Sequence, residues 1–390
     1  MFDQTKVKMN NKEVKILAYY AHPGDREKRD SNILAAYNFI NYVRDSIIKV
    51  GRTVKIISAS RTRGKNKFYG KRLDVESEDF SVLYLPTFPK NNKINKLLDI
   101  IALHVSVFKE LLKCGRHDTV IVYHSTACMN TIQLAHWIKR FNWILYVGEI
   151  FGDVSHNIGL KNKELHHSLH ADSYIFATEF LDKLINKYNK PYVVLYGAYH
   201  NEPLREDVLK EKDTTKTHCI YAGTFDQRKG ESQQSIRAAA FLKDNYQMHI
   251  CGFGTEKDTS ETVQMINEIN RKYPNRIVYE GRVYGENFIK LLQRCDIGMF
   301  TPLSQEEFNN SDFPSKIFSY MTNGLRVVSA KVEPVEKSQI GECMYYYDGD
   351  NPYKIAEAIM NIDLTQSHDS RAIVTKVEKE YIESLDNLLK

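Results

Sequence analysis

Two stretches of this chain gather cations, glycines and small polar groups at spacings that suit an anion. The first is Phe313–Ser329, FPSKIFSYMTNGLRVVS. Pro314 predicts the first position of a helix, where its missing amide would have no partner in any case. Ser315 and Lys316 then offer free amides and an ammonium at a helix N-terminus, where the dipole favours negative charge. Asn323-Gly324 predicts the helix stop, and the apolar run Leu325–Ala330 predicts a strand. The second stretch is Ile220–Gly230, IYAGTFDQRKG: an apolar strand, a tight glycine turn and the basic pair Arg228-Lys229 before a helix. Cations at a helix start oppose its dipole, so a bound anion explains the pair better than a solvated helix end. Together these features suit a grip on a nucleotide diphosphate, chemistry that needs positioning and charge stabilisation more than a covalent step.

The elements that must position these groups follow in a regular order. Ile250–Gly254 (ICGFG), Arg276–Val283 (RIVYEGRV) and the CDIGMF of 295–300 read as further strands of the same half. In the first half, Lys15–Ala21 reads as a strand, His22–Arg29 as a polar turn around Gly24, and Ser31–Val50 as a helix stopped by Gly51. Val54–Ser58, Ser81–Leu85, Thr119–His124, Trp143–Val147, Ser173–Thr178 and Tyr192–Leu195 are the remaining strand candidates. Strands alternating with helices predict parallel sheets covered on both faces. The expected fold is therefore α/β, with two doubly wound, Rossmann-like domains and a ligand cleft at strand C-termini. The expected divisions are 1–200, a polar linker over 201–217, a second domain over 218–364, and a terminal helix over 365–390 that returns to the first domain.

The ordered set of motifs resembles the C-terminal domain of the GT-B glycosyltransferases, in particular the large family-4 group, best over residues 215–362. The resemblance implies transfer of a sugar from a nucleotide diphosphate donor (a UDP- or GDP-sugar), with retention of configuration and neither metal nor cofactor. It places Lys229 on the diphosphate, flanked by Gly223 and Gly230. Thr224 stands where the family has an arginine, which Arg228 would replace. Arg282 and Val283, at a strand end, and Pro314, Ser315 and Lys316 complete the donor site. The two family glutamates fall on Ser311 and Ser319, with Asp312, Glu306 and Glu307 close by. Ser319 would face the ribose, and Asp312 or Ser311 the sugar. On the acceptor side, the place of the family histidine is taken by Glu149, with Asp153 near it. Glu149 also reads as a cap for the next helix. His124, closing VIVYH, is a further catalytic candidate, and Gly24 lies in the loop that lines the acceptor side.

Composition narrows the context. With 390 residues and 42% hydrophobic content, disorder is excluded as the default. The six scattered cysteines show no CxxC spacing and read as reduced core thiols of a cytoplasmic protein. No signal peptide or transmembrane run is expected. The net charge of +5 hides an asymmetry: residues 1–75 hold 17 Lys and Arg against 7 Asp and Glu. Six of these bases crowd into Arg61–Arg72, which reads as a solvated loop able to meet an anionic acceptor or the inner face of the membrane. No nucleic-acid motif accompanies the charge. These features suggest a growing cell-surface glycan or a lipid-diphosphate-linked oligosaccharide as acceptor. An inactive transferase-like subunit that positions a partner, and a sugar-nucleotide epimerase, are the competing readings.

Several metal-like patterns do not hold up. AHPGDRE at 21–27 places Arg26 where a zinc-site carboxylate would be needed. His166, His167 and His170 lack an acidic partner, Asp348-Gly-Asp350 reads as a turn before the cap Asn351, and GFG at 252–254 lacks the rest of a dinucleotide fingerprint.

Overall fold

In a computed structural model, the chain is described over residues 13–30, 34–64, 67–123, 127–303 and 313–390. It forms two compact α/β units. The first comprises residues up to Ala177, Leu181–Leu195 and Tyr381–Lys390; the second comprises Thr178–Phe180 and Tyr196–Glu380.

The first unit holds strands β1 (Glu13–Ala18), β2 (Thr53–Ser58), β3 (Arg72–Val75), β4 (Phe80–Tyr84), β5 (Thr119–Tyr123), β6 (Asn142–Val147), β7 (Ser173–Phe176) and β8 (Tyr192–Val194). Their order is β3-β4-β2-β1-β5-β6-β7-β8, parallel except for β3, which runs antiparallel to β4. Central strands such as TVIVY at β5 are apolar on both faces, as a sheet covered by helices on each side requires. Trp143, Leu145 and Tyr174 pack with Leu103, Val107 and Leu111 from the helix Lys93–Leu111.

The second unit holds β9 (Thr217–Thr224), β10 (Tyr246–Phe253), β11 (Ile277–Gly281), β12 (Ile297–Phe300), β13 (Arg326–Ala330) and β14 (Tyr345–Tyr347). All are parallel, in the order β11-β10-β9-β12-β13-β14. Counted within the unit this is 3-2-1-4-5-6, the order of a doubly wound nucleotide-binding sheet. Its switch point lies between β9 and β12. The stretch 201–217 is packed on this unit. Val208, in the helix Glu206–Lys210, is buried, Arg205 N–H donates to Gln293 Oε1 (2.8 Å), and Lys212 Nζ reaches Asp296 (2.6 Å). The last helix, Ser370–Leu388, changes unit at Tyr381, whose ring lies 6.0 Å from that of Tyr42 in the first unit.

Where the basic run is described it is exposed over most of its length, and four of its cations are paired. Arg61 is buried, donating to Asp99 (3.1 Å) and to the carbonyls of Ala59 and Pro86. Arg63 meets Asp30 (3.3 Å), Lys71 meets Glu110 (2.5 Å), and Arg72, in β3, meets Asp25 and Asp74. Burial alone would raise the Asp25 carboxyl, yet Arg72 holds it below the usual carboxylate range.

Candidate functional site

The second unit opens a crevice at its switch point. β9 pairs with β10 along all eight of its residues but with β12 only at Cys219 and Ile220. Beyond Ile220 the two strands part, and the Tyr320 hydroxyl fills the gap. It accepts from the Ala222 N–H (2.9 Å) and donates to the Met299 carbonyl (3.3 Å). The Tyr320 ring fits because residue 298 is glycine; a Cβ there would lie 2.2 Å from Tyr320 Cγ. Full burial pushes the Tyr320 phenol well above its ordinary range, so it stays a neutral hydrogen-bonding strut.

Lys316 enters the crevice above this strut. Its Nζ lies 4.6 Å from the centre of the Tyr221 ring and 5.9 Å from that of Phe300, bridging the C-terminal ends of β9 and β12. The ammonium is ion-paired with Glu231, the first residue of the helix Glu231–Ala239. Gly230 precedes that helix in the left-handed region (φ +64°), where a Cβ would strike Leu303 at 2.6 Å. Thr301 Oγ1 donates to the Glu231 carbonyl (2.8 Å), tying the helix start to the end of β12. The next four side chains, Ser232 to Ser235, are also buried, an unusual polar run for a helix interior. Tyr347 Oη and Gln233 Nε2 are both buried without a hydrogen-bond partner among the described residues. Gly223 leaves room beside Lys316, since a Cβ there would come within 3.0 Å of Nζ.

The loop after β9 separates the two neighbouring cations. Arg228 folds back on Asp226 (Nη2–Oδ2 2.8 Å) and keeps that carboxyl below its usual range. Lys229 is exposed and makes no ion pair among the described residues, while its carbonyl accepts from the Leu303 N–H (3.1 Å). Thr224 is exposed, and Arg282 lies over the Phe253 ring (4.4 Å), with Val283 N–H on Cys251 beside it. The GFG glycines serve close packing. A Cβ on Gly252 would meet the Gly223 carbonyl at 1.9 Å, and one on Gly254 the Phe225 carbonyl at 2.7 Å.

The helix after Pro314 begins later than its sequence suggests. It runs Lys316–Met321 with Ser315 as N-cap, so Pro314 stands outside the helix rather than at its first position. The Pro314 carbonyl instead accepts from the Ile317 N–H (3.0 Å), a tight turn that leads into the helix. Ser319, half-buried, turns its hydroxyl to the Ser315 carbonyl (3.5 Å), and Gly324 closes the segment at φ +91°. Ser311, Asp312 and His124 lie outside the described residues. Asp348-Gly-Asp350 is a turn, followed by the Asn351 cap on Tyr353 N (3.0 Å).

In the first unit, Glu149 follows β6 and is half-buried. It does not cap the next helix. Glu164, itself buried, accepts from the N–H groups of Phe151 and Gly152 (3.2 Å each), which open the helix Phe151–Val154. Asp153 lies in that short helix. At the ends of β5 and β6, Tyr123 and Tyr146 stack (4.7 Å) and Phe39 packs on Tyr146 (4.3 Å). Gly24 is exposed in the turn Pro23–Asp25. Among the described residues no group of His, Cys, Asp and Glu is arranged to hold a metal, and no helix is long and apolar enough to cross a membrane.

The site thus unites Gly223, Gly230 and Lys316, adds Glu231, Tyr221, Thr301 and Tyr320, and pairs Arg228 away. Motif reading passed over Glu231 because an acidic residue in a first helical turn is ordinary. Its one available signal was its place directly after Lys229-Gly230, at the head of a buried polar run.

No family model and no curated protein matches the chain in sequence. In structure it is similar to a UDP-forming trehalose-phosphate synthase from Burkholderia xenovorans (11% identity, 97% of this chain and 98% of that one, TM-score 0.66). Anabaena Alr3699/HepE in complex with UDP and glucose matches at 14% identity, 96% of both chains and TM-score 0.62. An E. coli structure described as trehalose-6-phosphate bound with UDP-2-fluoro glucose matches at 10% identity, 97% and 99% coverage and TM-score 0.66. These likenesses span nearly the whole chain and show that its fold is GT-B, with two Rossmann-like domains.

Proposed function

We propose that the chain is a glycosyltransferase of the hexosyltransferase type that moves a sugar from a nucleotide diphosphate donor to a glycan acceptor. The observation that carries this reading is Lys316, held by Glu231 in the switch-point crevice of a 3-2-1-4-5-6 sheet. The structural likenesses with UDP, UDP-2-fluoro glucose and glucose support a UDP-sugar as the first donor to test. Lys229 and Lys316 hold the diphosphate and stabilise the charge that grows on the leaving group. Ser319 hydrogen-bonds the ribose, and Ser311 or Asp312 meets the sugar. Glu149 orients the acceptor hydroxyl and takes its proton. Retention of configuration, no metal requirement, and a cell-surface or lipid-diphosphate-linked acceptor at the cytoplasmic membrane face complete the proposal.

A second reading, a transferase-like subunit without activity, draws on one observation. Serines 311 and 319 stand where the resembled family has carboxylates, and a hydroxyl is the weaker partner for sugar and ribose. Calorimetry of the purified chain with UDP and with GDP tests the site, with Lys229→Ala and Lys316→Ala alongside. Binding of one nucleotide that falls in both variants supports the donor site; absence of binding by both nucleotides rejects it. Hydrolysis or transfer of the matching nucleotide sugar then separates an enzyme from a binding-only subunit.

A further inference from the structure

We propose that the outer face of the helix Lys93–Leu111 is a docking surface for an anionic lipid bilayer. The helix packs into the first unit by one stripe, Asp99, Leu103, Val107 and Leu111, at four-residue spacing. A second apolar stripe faces out. Ile94, Leu97, Leu98, Ile101 and Val105 recur at three- and four-residue steps, with exposures of 71%, 57%, 40%, 48% and 44%. Scattered single apolar residues are normal on a surface, but five in register on one helix mark an interaction site.

The charges around the stripe choose the occupant. The helix has only two carboxylates, and both turn away from this face. Asp99 is buried, receiving Arg61 (3.1 Å), Thr87 (2.8 Å) and the Phe88 N–H (2.9 Å). Glu110 is taken by Lys71 (2.5 Å) and Lys113 (2.8 Å). Lys93, Lys96 and Lys109 are exposed and form no ion pair among the described residues. Lys93 lies four residues before Leu97 and Lys109 four after Val105, so both border the apolar stripe. An apolar stripe edged by lysines, on a helix whose two carboxylates are both ion-paired, complements a bilayer with anionic headgroups. A second copy fits poorly, because a two-fold contact through this face would set like ammoniums against one another. The neighbouring helix Met129–Lys139, joined to this one through His104 and Thr131 (2.6 Å), carries exposed apolar side chains of its own, Leu134 and Trp137, the latter 75% exposed. Tryptophan is favoured at the headgroup level.

Flotation of the full chain with vesicles of phosphatidylcholine, with or without phosphatidylglycerol, tests the proposal. The wild type is expected to float only with the anionic vesicles, less so at high salt. The double variant Leu97→Asp/Ile101→Asp abolishes flotation, and Lys93→Gln/Lys109→Gln reduces it by about tenfold. These side chains are exposed, so unchanged thermal unfolding and nucleotide binding in the same samples separate lost docking from a lost fold or donor site. The proposal is overturned if the wild type ignores anionic vesicles or if the Asp variant floats as well. A self-association abolished by the same Asp variant, without lipid binding, overturns it too and assigns the face to a second copy.

Discussion

Glu231 holds the Lys316 ammonium at the mouth of the crevice where β9 and β12 part. Their side chains are only 10% and 18% exposed, so the pair is shielded on most sides. Removing one member leaves the other charge poorly solvated, and Glu231→Ala is expected to cost about 3 kcal/mol of unfolding free energy. The double variant Glu231→Leu/Lys316→Met removes both charges and recovers most of that loss. Urea unfolding with an unchanged slope measures both; a Glu231→Ala cost below about 0.5 kcal/mol would class the pair with surface ion pairs.

The strut beneath the pair gives a second expectation. Tyr320→Phe leaves the buried Ala222 N–H without its acceptor, at a cost of about 1–3 kcal/mol. Gly298→Ala forces a methyl to within 2.2 Å of the same ring, an overpacking that costs about 1–3 kcal/mol. A ring displaced by the methyl carries its hydroxyl away from Ala222 as well, so the double variant should lose less than their sum. Additive urea midpoints would show that the residues do not act together.

Much of this arrangement could be read before the structure, and the failures have physical causes. The apolar stretches Ile220–Ala222, Ile250-Cys251 and Ile297–Phe300 announce parallel strands, because a sheet covered on both faces needs no polar alternation. β3 escaped notice because Arg72–Val75 alternates charge with Leu and Val and sits antiparallel at an edge, with Leu73 and Val75 exposed. Arg228 looked like a free cation because its partner, Asp226, is a turn neighbour whose carboxylate competes at short range. Lys316 meets Glu231 from 85 residues away, a distance along the chain over which motif reading carries no pairing information.

That local pairing separates the two basic residues before the helix. Arg228 is 78% exposed and engaged with Asp226, so Arg228→Ala should change stability by less than about 1 kcal/mol. Nucleotide diphosphate affinity should fall about tenfold in Lys229→Ala and much less in Arg228→Ala. Titration calorimetry gives the comparison directly. A larger loss in Arg228→Ala would mean that the ligand draws Arg228 off Asp226.

A histidine pair sets an expectation for pH. His218 Nδ1 and His249 Nε2 are 2.9 Å apart, His249 Nδ1 reaches Glu280 (2.7 Å), and His218 Nε2 reaches the Asp213 carbonyl (3.1 Å). Burial, then the neighbouring His249, lowers the His218 pKa, so the folded chain keeps this ring neutral. Above the ordinary imidazole value of about 6.5 neither state is protonated and stability is unaffected. Below it the unfolded chain takes the proton first, so stability falls with pH down to the depressed folded value and then levels off. Buried His167 and half-buried His368 shift in the same direction and add to the slope. His218→Gln should flatten the urea midpoint below about pH 6.5 without abolishing its fall; an unchanged profile would remove His218 from the account.

Glu149 offers the cleanest separation of chemistry from folding. The capping role open to it is filled by Glu164, so among the described residues no backbone amide depends on its carboxylate. Glu149→Gln, which preserves shape and half-burial, should leave unfolding within about 0.5 kcal/mol of the wild type. Glu164→Gln, by contrast, weakens two caps inside a buried site and should cost about 1–2 kcal/mol. If Glu149 takes the acceptor proton, its glutamine variant loses about 10²- to 10⁴-fold in kcat at an unchanged donor KM. Steady-state transfer assays on both variants read this split. A loss confined to donor KM would move Glu149 to the donor side, and full activity would leave the acceptor without a base from this strand.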